Sequence, residues 1–148
     1  MTIELFDASD AQRASEAFAV RLAVFVEEQR IPHDEEFDEH DRAGGEAVHA
    51  LARDDDGSVL GTGRYYASAP GTAQIGRLAV RAQARGRGVG RALLDALVAE
   101  ARRCGFARAS LNAQDHAVGF YEKAGFVSFG ATMIECAIVH QPMERDLF

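Results

Sequence analysis

The feature that most constrains the fold is a glycine-arginine loop, which lies between an apolar strand pattern and an amphipathic helix pattern. It reads Arg85-Gly86-Arg87-Gly88-Val89-Gly90. Because glycine lacks a Cβ atom, an anion can approach its backbone amide, and the dipole of the following helix favours negative charge there. The loop therefore predicts a phosphate-binding turn from a strand into a helix.

Two common phosphate-binding loops do not fit these residues. A P-loop ends in Lys followed by Ser or Thr, and this loop continues with Arg91 and Ala92. A dinucleotide-binding fingerprint needs a further glycine at the position of Arg91. An ordinary glycine-rich turn with solvated arginines stays open as the alternative.

Length and composition limit the classes of protein to which this chain can belong. With 148 residues, 47% of them hydrophobic and 26% charged, we expect one domain over 1–148 with its own core. A net charge of −7 argues against nucleic acid as a partner. No apolar run approaches the roughly 18 residues of a membrane span, and the acidic start Met1–Glu4 does not resemble a secretory signal. These features predict a cytoplasmic protein with no membrane partner.

The charge is distributed unevenly along the chain. Residues 27–46 form a strongly acidic stretch, while residues 77–91 carry five arginines and no acid. Its part from Glu35 to Asp41 suits a cationic amine, with a solvated loop as the alternative. A divalent ion there would use Asp38 and Asp41, but nothing else supports a metal, and we predict none.

The two cysteines, Cys104 and Cys136, are predicted to be reduced core residues. Thiol chemistry between Cys136 and His140 is a weaker hypothesis. Four strand residues span about 13 Å, so the pair meets only if the strand folds back.

The N-terminal half predicts one strand, one helix and a loop. Residues 2–6 alternate as a strand, and Ser9 with Gln12 forms a capping-box signature that opens a helix ending near Gln29. A polar, acidic loop then runs to Gly44-Gly45.

Three strands follow and form an antiparallel meander over residues 46–53, 58–68 and 73–80. After the glycine-arginine loop, apolar residues at helical spacing predict a helix that stops at Gly105. The remaining predicted elements are a strand over 106–113, a short helix capped by Asp115 and ending at Ala124, and strands over 126–129 and 132–143. The order predicts an α/β fold with a mixed sheet.

Two motifs together resemble a known family. Arg85-x-x-Gly88-x-Gly90 matches the Q/R-x-x-G-x-G/A pyrophosphate loop of the GNAT superfamily of acyl-coenzyme A N-acyltransferases, and residues 75–80 look like its fourth strand. Residues 117–126, with a tyrosine on a short helix and a Gly-Phe turn, resemble its second signature. The N-terminal half resembles the ElaA-like branch through residues 24–29, Pro32, Glu36, Asp38 and Asp41.

The resemblance implies a GNAT-like fold, with an N-terminal antiparallel meander and helices packed on a central splayed sheet. It also implies an N-acetyltransferase that moves an acetyl group from acetyl-coenzyme A to a primary amine of a small molecule or peptide, by direct attack on the thioester. A homodimer is compatible with it. The alternative is a non-catalytic acyl-coenzyme A sensor or partner-binding module on the same fold.

The resemblance also implies site residues. It places the splayed strand beside the pantetheine arm, with the Val80 N–H as oxyanion donor and Tyr121 as general acid; a packing role is the alternative for Tyr121. Gln114 stands where the family often has Asn. The predicted cofactor-binding residues are Leu78, Ala79, Val80, Arg85, Gly86, Arg87, Gly88, Val89, Gly90, Arg91, Gln114, Tyr121 and Lys123.

The base that deprotonates the amine is the least constrained part of the predicted site. Glu28, His49 and Glu135 are the candidates, and Glu135 is our assignment, with a water chain as the alternative. Simple strand alternation puts Glu135 and His140 on opposite faces, and we expect His140 to be a core residue.

Overall fold

In a computed structural model that describes residues 1–148, the chain forms one mixed sheet with four α-helices. The helices are α1 (Ala11–Arg21), α2 (His33–Glu36), α3 (Val89–Arg103) and α4 (Val118–Lys123). The strands are β1 (Thr2–Phe6), β2 (Val48–Arg53), β3 (Val59–Ala69), β4 (Thr72–Val80), β5 (Arg108–Gln114), β6 (Val127–Ser128), β7 (Met133–Glu135) and β8 (Ile138–Asp146).

The strand order in the sheet is β1-β2-β3-β4-β5-β8-β6, and β7 also pairs with β8. Every neighbouring pair is antiparallel except β4 with β5. A parallel pair needs a long crossover connection, which α3 supplies here. The predicted α/β class, mixed sheet and antiparallel meander of β2, β3 and β4 are confirmed.

The first helix begins one residue later than the predicted cap. Asp10, and not Ser9, caps α1, because its side chain accepts a hydrogen bond from the Arg13 N–H at 3.1 Å. Ser9 instead bonds the Asp7 carboxylate, so the predicted capping box was wrong. The helix continues beyond α1 as a π-helix over Leu22–Glu28 and ends at Gln29, as predicted.

The predicted polar loop contains α2 and a short 3-10 helix over Glu39–Asp41. Buried Arg21 holds the segment, since its Nε donates to Glu36 Oε2 at 2.8 Å and its Nη1 to Asp41 Oδ1 at 2.6 Å. Burial raises the pKa of Glu36. Burial alone would also raise the pKa of Asp41, but the hydrogen bonds and charge of Arg21, the Asp38 N–H and the charge of Arg64 together outweigh burial and lower that pKa. The segment is therefore attached to α1 by buried charge pairs.

The helix after the glycine-arginine loop supplies the centre of the core. Leu93, Leu94 and Leu97 of α3 are fully buried against the sheet. The chain leaves α3 through Gly105, whose φ of +87° favours glycine, so the predicted helix stop is confirmed. None of the helices is long and apolar enough to cross a membrane.

The C-terminal third departs most from prediction. The single strand predicted over 132–143 is a hairpin, in which β7 and β8 are joined by Cys136 and Ala137 at φ of +50° and +62°. The predicted strand over 126–129 shortens to β6, and the predicted Asp115 cap is absent, since a 3-10 helix over Asp115–Ala117 precedes α4. The positive φ values occur without glycine, so the turn carries no clear sequence signal.

Both cysteines are free thiols, but neither belongs to the core. Cys104 lies at the end of α3 and Cys136 in the hairpin turn, and both are exposed. The predicted core placement was therefore wrong. Helical spacing alone could not show that Cys104 falls on the solvent side of the last turn.

Replacing Arg21 by Ala should lower the free energy of unfolding by about 3–5 kcal/mol, because it leaves two buried carboxylates without their main partner. The control is Arg103→Ala, whose side chain is 71% exposed beside Glu100. That variant should cost less than about 1 kcal/mol. Urea unfolding measures both, and equal losses would show that the buried charge pairs do not stabilise the fold.

Candidate active site

The site begins where β4 and β5 separate. Only Thr72, Ala73 and Gln74 of β4 pair with β5, and the edge of β5 facing β4 is unpaired from Leu111 onward. A β-bulge accompanies the separation, since two β4 residues, Arg77 and Leu78, lie opposite one β3 residue. Arg77 takes up the extra length at a φ of +52°. The predicted splayed strand is thus present.

The gap between the two strands opens into a cleft of about 890 Å³. Its walls come from the π-helix, the acidic segment after it, β3, the splayed half of β4, the end of β5, α4 with the 3-10 helix before it, and the β7–β8 hairpin. The predicted site residues that line it are Leu78, Ala79, Val80, Arg85, Gln114, Tyr121 and Glu135.

The backbone of Val80 points into the gap. The Arg81 N–H donates to the Leu60 carbonyl of β3 at 2.9 Å. Successive residues of a strand direct their polar groups to opposite sides, so the Val80 N–H and C=O point away from β3. Arg85 Nε donates to the Val80 carbonyl at 3.1 Å from that side. The Val80 amide is therefore placed to meet a carbonyl oxygen in the gap.

The glycine-arginine loop forms a cradle of open backbone at the start of α3. Gly86 and Gly88 have φ of +80° and +79°, and a Cβ added to either would meet no atom within 4 Å. Gly88 is the residue before α3, and the first-turn amides of that helix, beginning with Val89 and Gly90, have no intrahelical acceptor. Such amides form an anion site.

The arginines around the cradle are held by acidic partners. Arg85 Nη2 lies 2.8 Å from Glu28 Oε2, Arg87 pairs with Asp54 at 3.1 Å, and Arg91 pairs with Asp95 at 2.9 Å. All three side chains are close to half exposed. Exposed ion pairs are weak, so a multiply charged anion can compete for these arginines.

Tyr121 of α4 lines the cleft beside two other aromatic rings. Its ring centroid lies 5.0 Å from that of Phe120 and 6.1 Å from that of Phe126, both in edge-on geometry. Burial raises the pKa of Tyr121 to about 12. The phenol is therefore neutral at ordinary pH and can donate a hydrogen bond into the cleft.

Gln114 at the end of β5 is already engaged. Its Nε2 donates to Gln29 Oε1 at 2.8 Å, and Gln29 Nε2 donates back to Gln114 Oε1 at 3.2 Å. This amide pair joins the π-helix to β5 beside the cleft. Lys123 is the last residue of α4 and does not line the cleft.

The candidate bases are spread over different parts of the fold. His49 is buried outside the cleft, and burial lowers its pKa. Glu28 lines the cleft in its pair with Arg85. Glu135 is exposed on the cleft wall, where its Oε1 accepts from Asn112 Nδ2 at 3.4 Å. His140 also lines the cleft, so the expectation that it faces away from Glu135 was wrong, because the hairpin interrupts the strand alternation.

The carboxylates of Glu36, Asp38 and Asp41 in the acidic stretch are paired with arginines and are not free for a cationic substrate. Asp38 pairs with Arg64 at 2.7 Å, and Asp41 pairs with Arg21 and with Arg64. Arg77 Nε also lies 3.4 Å from Glu36 Oε2. The carboxylates that a divalent ion would have used are thus taken by arginines, and the sequence could not show these long-range partners.

The strand folds back, but the turn lies at Cys136 itself and pairs His140 with Met133, so it does not bring His140 to the Cys136 thiol. Cys136 is also unsuited to thiol chemistry. Its Sγ–H donates to Glu35 Oε2 at 2.9 Å, and this hydrogen bond is the first cause that raises the thiol pKa to about 11. A nucleophilic cysteine needs a lowered pKa. The environment therefore favours a protonated, unreactive thiol.

Several cleft residues were given no individual role from the sequence, among them Gln29, Glu35 and His116. Gln29 and Glu35 belong to the region between the π-helix and α2, whose path depends on buried charge pairs. His116 directly follows β5 and could have been found from its position at the end of a splayed strand. The predicted residues outside the cleft are Gly86, Arg87, Gly88, Val89, Gly90, Arg91 and Lys123.

Comparison with known proteins agrees with this geometry. The sequence profile of the acetyltransferase (GNAT) domain matches residues 11–147. The uncharacterized N-acetyltransferase YjcF of Bacillus subtilis is 34% identical over 140 residues, covering 94% of this chain and 96% of YjcF. An acyl-CoA N-acyltransferase structure from Pseudomonas aeruginosa is 29% identical with a TM-score of 0.85, and Escherichia coli ElaA is 26% identical with a TM-score of 0.84. Each comparison covers 97% of this chain and 98% of the other chain.

Together with these matches, the splayed mixed sheet and the glycine cradle at the start of its crossover helix identify an acyltransferase. The chain belongs to the acetyltransferase (GNAT) family and is similar to ElaA within it.

Replacing Gly88 by Ala should weaken coenzyme A binding, because the added methyl group faces the open cradle. The control is Gly57→Ala, since Gly57 has a φ of +90°, equally open surroundings and a place in the β2–β3 turn. Both variants should lose about 1 kcal/mol of stability through backbone strain. Isothermal titration should show weaker binding for Gly88→Ala only, and unchanged affinity in that variant would place the phosphates elsewhere.

Proposed function

We propose that this enzyme transfers an acetyl group from acetyl-coenzyme A to a primary amine, by direct attack of the amine on the thioester. The observation that carries the proposal is the gap between β4 and β5, which has the glycine cradle at one end and Val80 and Tyr121 on its walls. The name of the Pseudomonas relative, an acyl-CoA N-acyltransferase, supports the same donor class.

In this proposal the pyrophosphate of the cofactor sits on the amides of residues 86–90, and the pantetheine arm runs along Leu78, Ala79 and Val80. A pyrophosphate brings negative charge to Arg85, which would then exchange Glu28 for phosphate. Charge-assisted hydrogen bonds between arginine and phosphate are stronger than exposed ion pairs with carboxylates. Arg87, Arg91, Gln114 and Lys123 stay proposed contacts at the edges of this path.

The chemistry needs stabilisation of an oxyanion and of a departing thiolate. The Val80 N–H would donate to the thioester oxygen as it gains negative charge. Tyr121 would donate to the sulfur. With a Tyr121 pKa of about 12 and a thiol pKa near 8.5, complete proton transfer is uphill by about 5 kcal/mol. A strong hydrogen bond to the thiolate is therefore the main contribution of Tyr121.

The acceptor would enter from the side of the β7–β8 hairpin. Glu135 is exposed there, and its carboxylate would attract a protonated amine on either a small molecule or a peptide.

We further propose that residues 1–148 act as one domain, since a single sheet joins them, and that the enzyme works in the cytoplasm, where acetyl-coenzyme A is available.

An acceptor screen tests the proposed function. Polyamines, amino acids, amino sugars, aminoglycosides and peptides are each mixed with acetyl-coenzyme A and enzyme, and free thiol is measured.

At a hundredfold excess over its dissociation constant, acetyl-coenzyme A should stabilise the fold by about 2.7 kcal/mol, and NAD should not. Stabilisation by NAD but not by acetyl-coenzyme A would overturn the choice of cofactor.

Replacing Tyr121 by Phe should lower kcat about a hundredfold and leave acetyl-coenzyme A affinity nearly unchanged, because only a transition-state hydrogen bond is lost. The control is Tyr65→Phe, which removes a phenol from the buried core outside the cleft. Its kcat should stay within about threefold of wild type. Wild-type turnover in Tyr121→Phe would mean that Tyr121 only packs the short helix.

A further inference from the structure

The proposed reaction leaves one proton without a destination. A primary amine has a pKa near 10, so the acceptor arrives mainly as an ammonium ion and must lose a proton before it attacks. A general base works best when its own pKa lies near the operating pH. A carboxylate such as Glu135, exposed on the wall of the cleft, can attract an ammonium ion but is a weak proton acceptor.

His140 is brought to the cleft by the hairpin. The turn at Cys136 and Ala137 folds the chain back, so that His140 of β8 lies opposite Met133 on one side and Gln114 on the other. The residue is only 9% exposed, yet it lines the same cleft as Tyr121 and Val80. It is therefore a nearly buried imidazole at the proposed acceptor end of the gap.

The hydrogen bonds of the imidazole determine which nitrogen is basic. His140 Nδ1 lies 2.8 Å from the Ile138 carbonyl oxygen, which can only accept a hydrogen bond, so Nδ1 carries the proton. The other nitrogen, Nε2, then has a free lone pair in the neutral ring. Among buried side-chain nitrogen and oxygen atoms, only Arg64 Nε lacks a hydrogen-bond partner. His140 Nε2 also bonds no protein group, so it is not a buried atom, and it is open to the cleft that His140 lines.

We propose that His140 Nε2 is the general base that removes a proton from the acceptor ammonium. This assignment rests on the proposed acetyl transfer. The freed amine nitrogen forms a bond to the thioester carbon, and the C–S bond breaks to release the thiolate. After attack the nitrogen loses its second proton, and the departing thiolate, stabilised by the hydrogen bond from Tyr121, takes up one proton and leaves as the free thiol. The imidazolium of His140 returns the first proton to solvent, so the protons balance.

Other titratable groups surround His140 and bear on the pH dependence. Glu135 of β7, His116 and Tyr121 line the same cleft, and Asp115 lies on the 3-10 helix packed against β8. Tyr121, with its pKa raised to about 12, stays neutral up to pH 10. It therefore does not titrate across the range in which the acceptor loses its proton.

The test replaces His140 by Asn, whose side-chain amide can keep the donor to Ile138 while Nε2 is removed. With a competent amine, kcat/KM should fall about a hundredfold at pH 7. The deficit should shrink to about fivefold near pH 10, where the amine is neutral without help. The control is His33→Asn, an exposed histidine outside the cleft, which should match wild type at every pH.

Three results would overturn the proposal: His140→Asn activity within threefold of wild type at pH 7, a deficit equal at all pH values, or a pH-dependent deficit in Glu135→Gln instead. If His140→Asn does not fold, ¹⁵N-histidine NMR of the wild-type protein tests the same point. The neutral ring should carry its proton on Nδ1, and an Nε2–H tautomer would contradict the assignment. Absence of wild-type turnover with every amine, by contrast, would refute the proposed function itself.

Discussion

The bulge in β4 is the constraint on which the rest of the site depends. One extra residue at Arg77 turns β4 away from β5 after three paired positions, and the gap that results forms the cleft. The neighbouring strand is adapted to it, because a Cβ on Gly63 would lie 2.9 Å from Leu78 Cδ1 and one on Gly61 would lie 2.7 Å from the Ala79 carbonyl oxygen. A side chain at Gly61 would force the backbone of β4 to move, and one at Gly63 would displace the Leu78 side chain.

Charge pairing connects the bulge to the N-terminal half. Arg77 Nε donates to the Glu36 carbonyl at 3.0 Å, and Glu36 is held in turn by Arg21. The acidic segment therefore forms a wall of the cleft and is tied to both α1 and β4. The proposed anionic cofactor is compatible with an acidic protein because the buried carboxylates of this segment are paired with arginines, while the arginines of the glycine cradle are about half exposed.

The sequence predicts the structural features that are formed by residues adjacent in the chain. The glycine loop, the Gly105 stop and the meander turns depend on residues that are neighbours in the chain, and all three are found in the structure. It could not predict contacts between distant residues. Arg21 meets Glu36 and Asp41 from 15 and 20 positions away, and Cys136 with Ala137 turns without glycine. Without the Arg21 pairs, the sequence could not show that the acidic segment is attached to α1. Without the turn at Cys136 and Ala137, it could not show that His140 lines the cleft.

The measurement that tests the central claim most directly is a crystal structure of the enzyme with bound coenzyme A. The account predicts that the pantetheine arm lies in the gap between β4 and β5, with the pyrophosphate on the amides of residues 86–90 and the sulfur beside Tyr121. Arg85 should have left Glu28 for phosphate. Coenzyme A bound elsewhere, with the gap empty and the Arg85–Glu28 pair intact, would contradict the account.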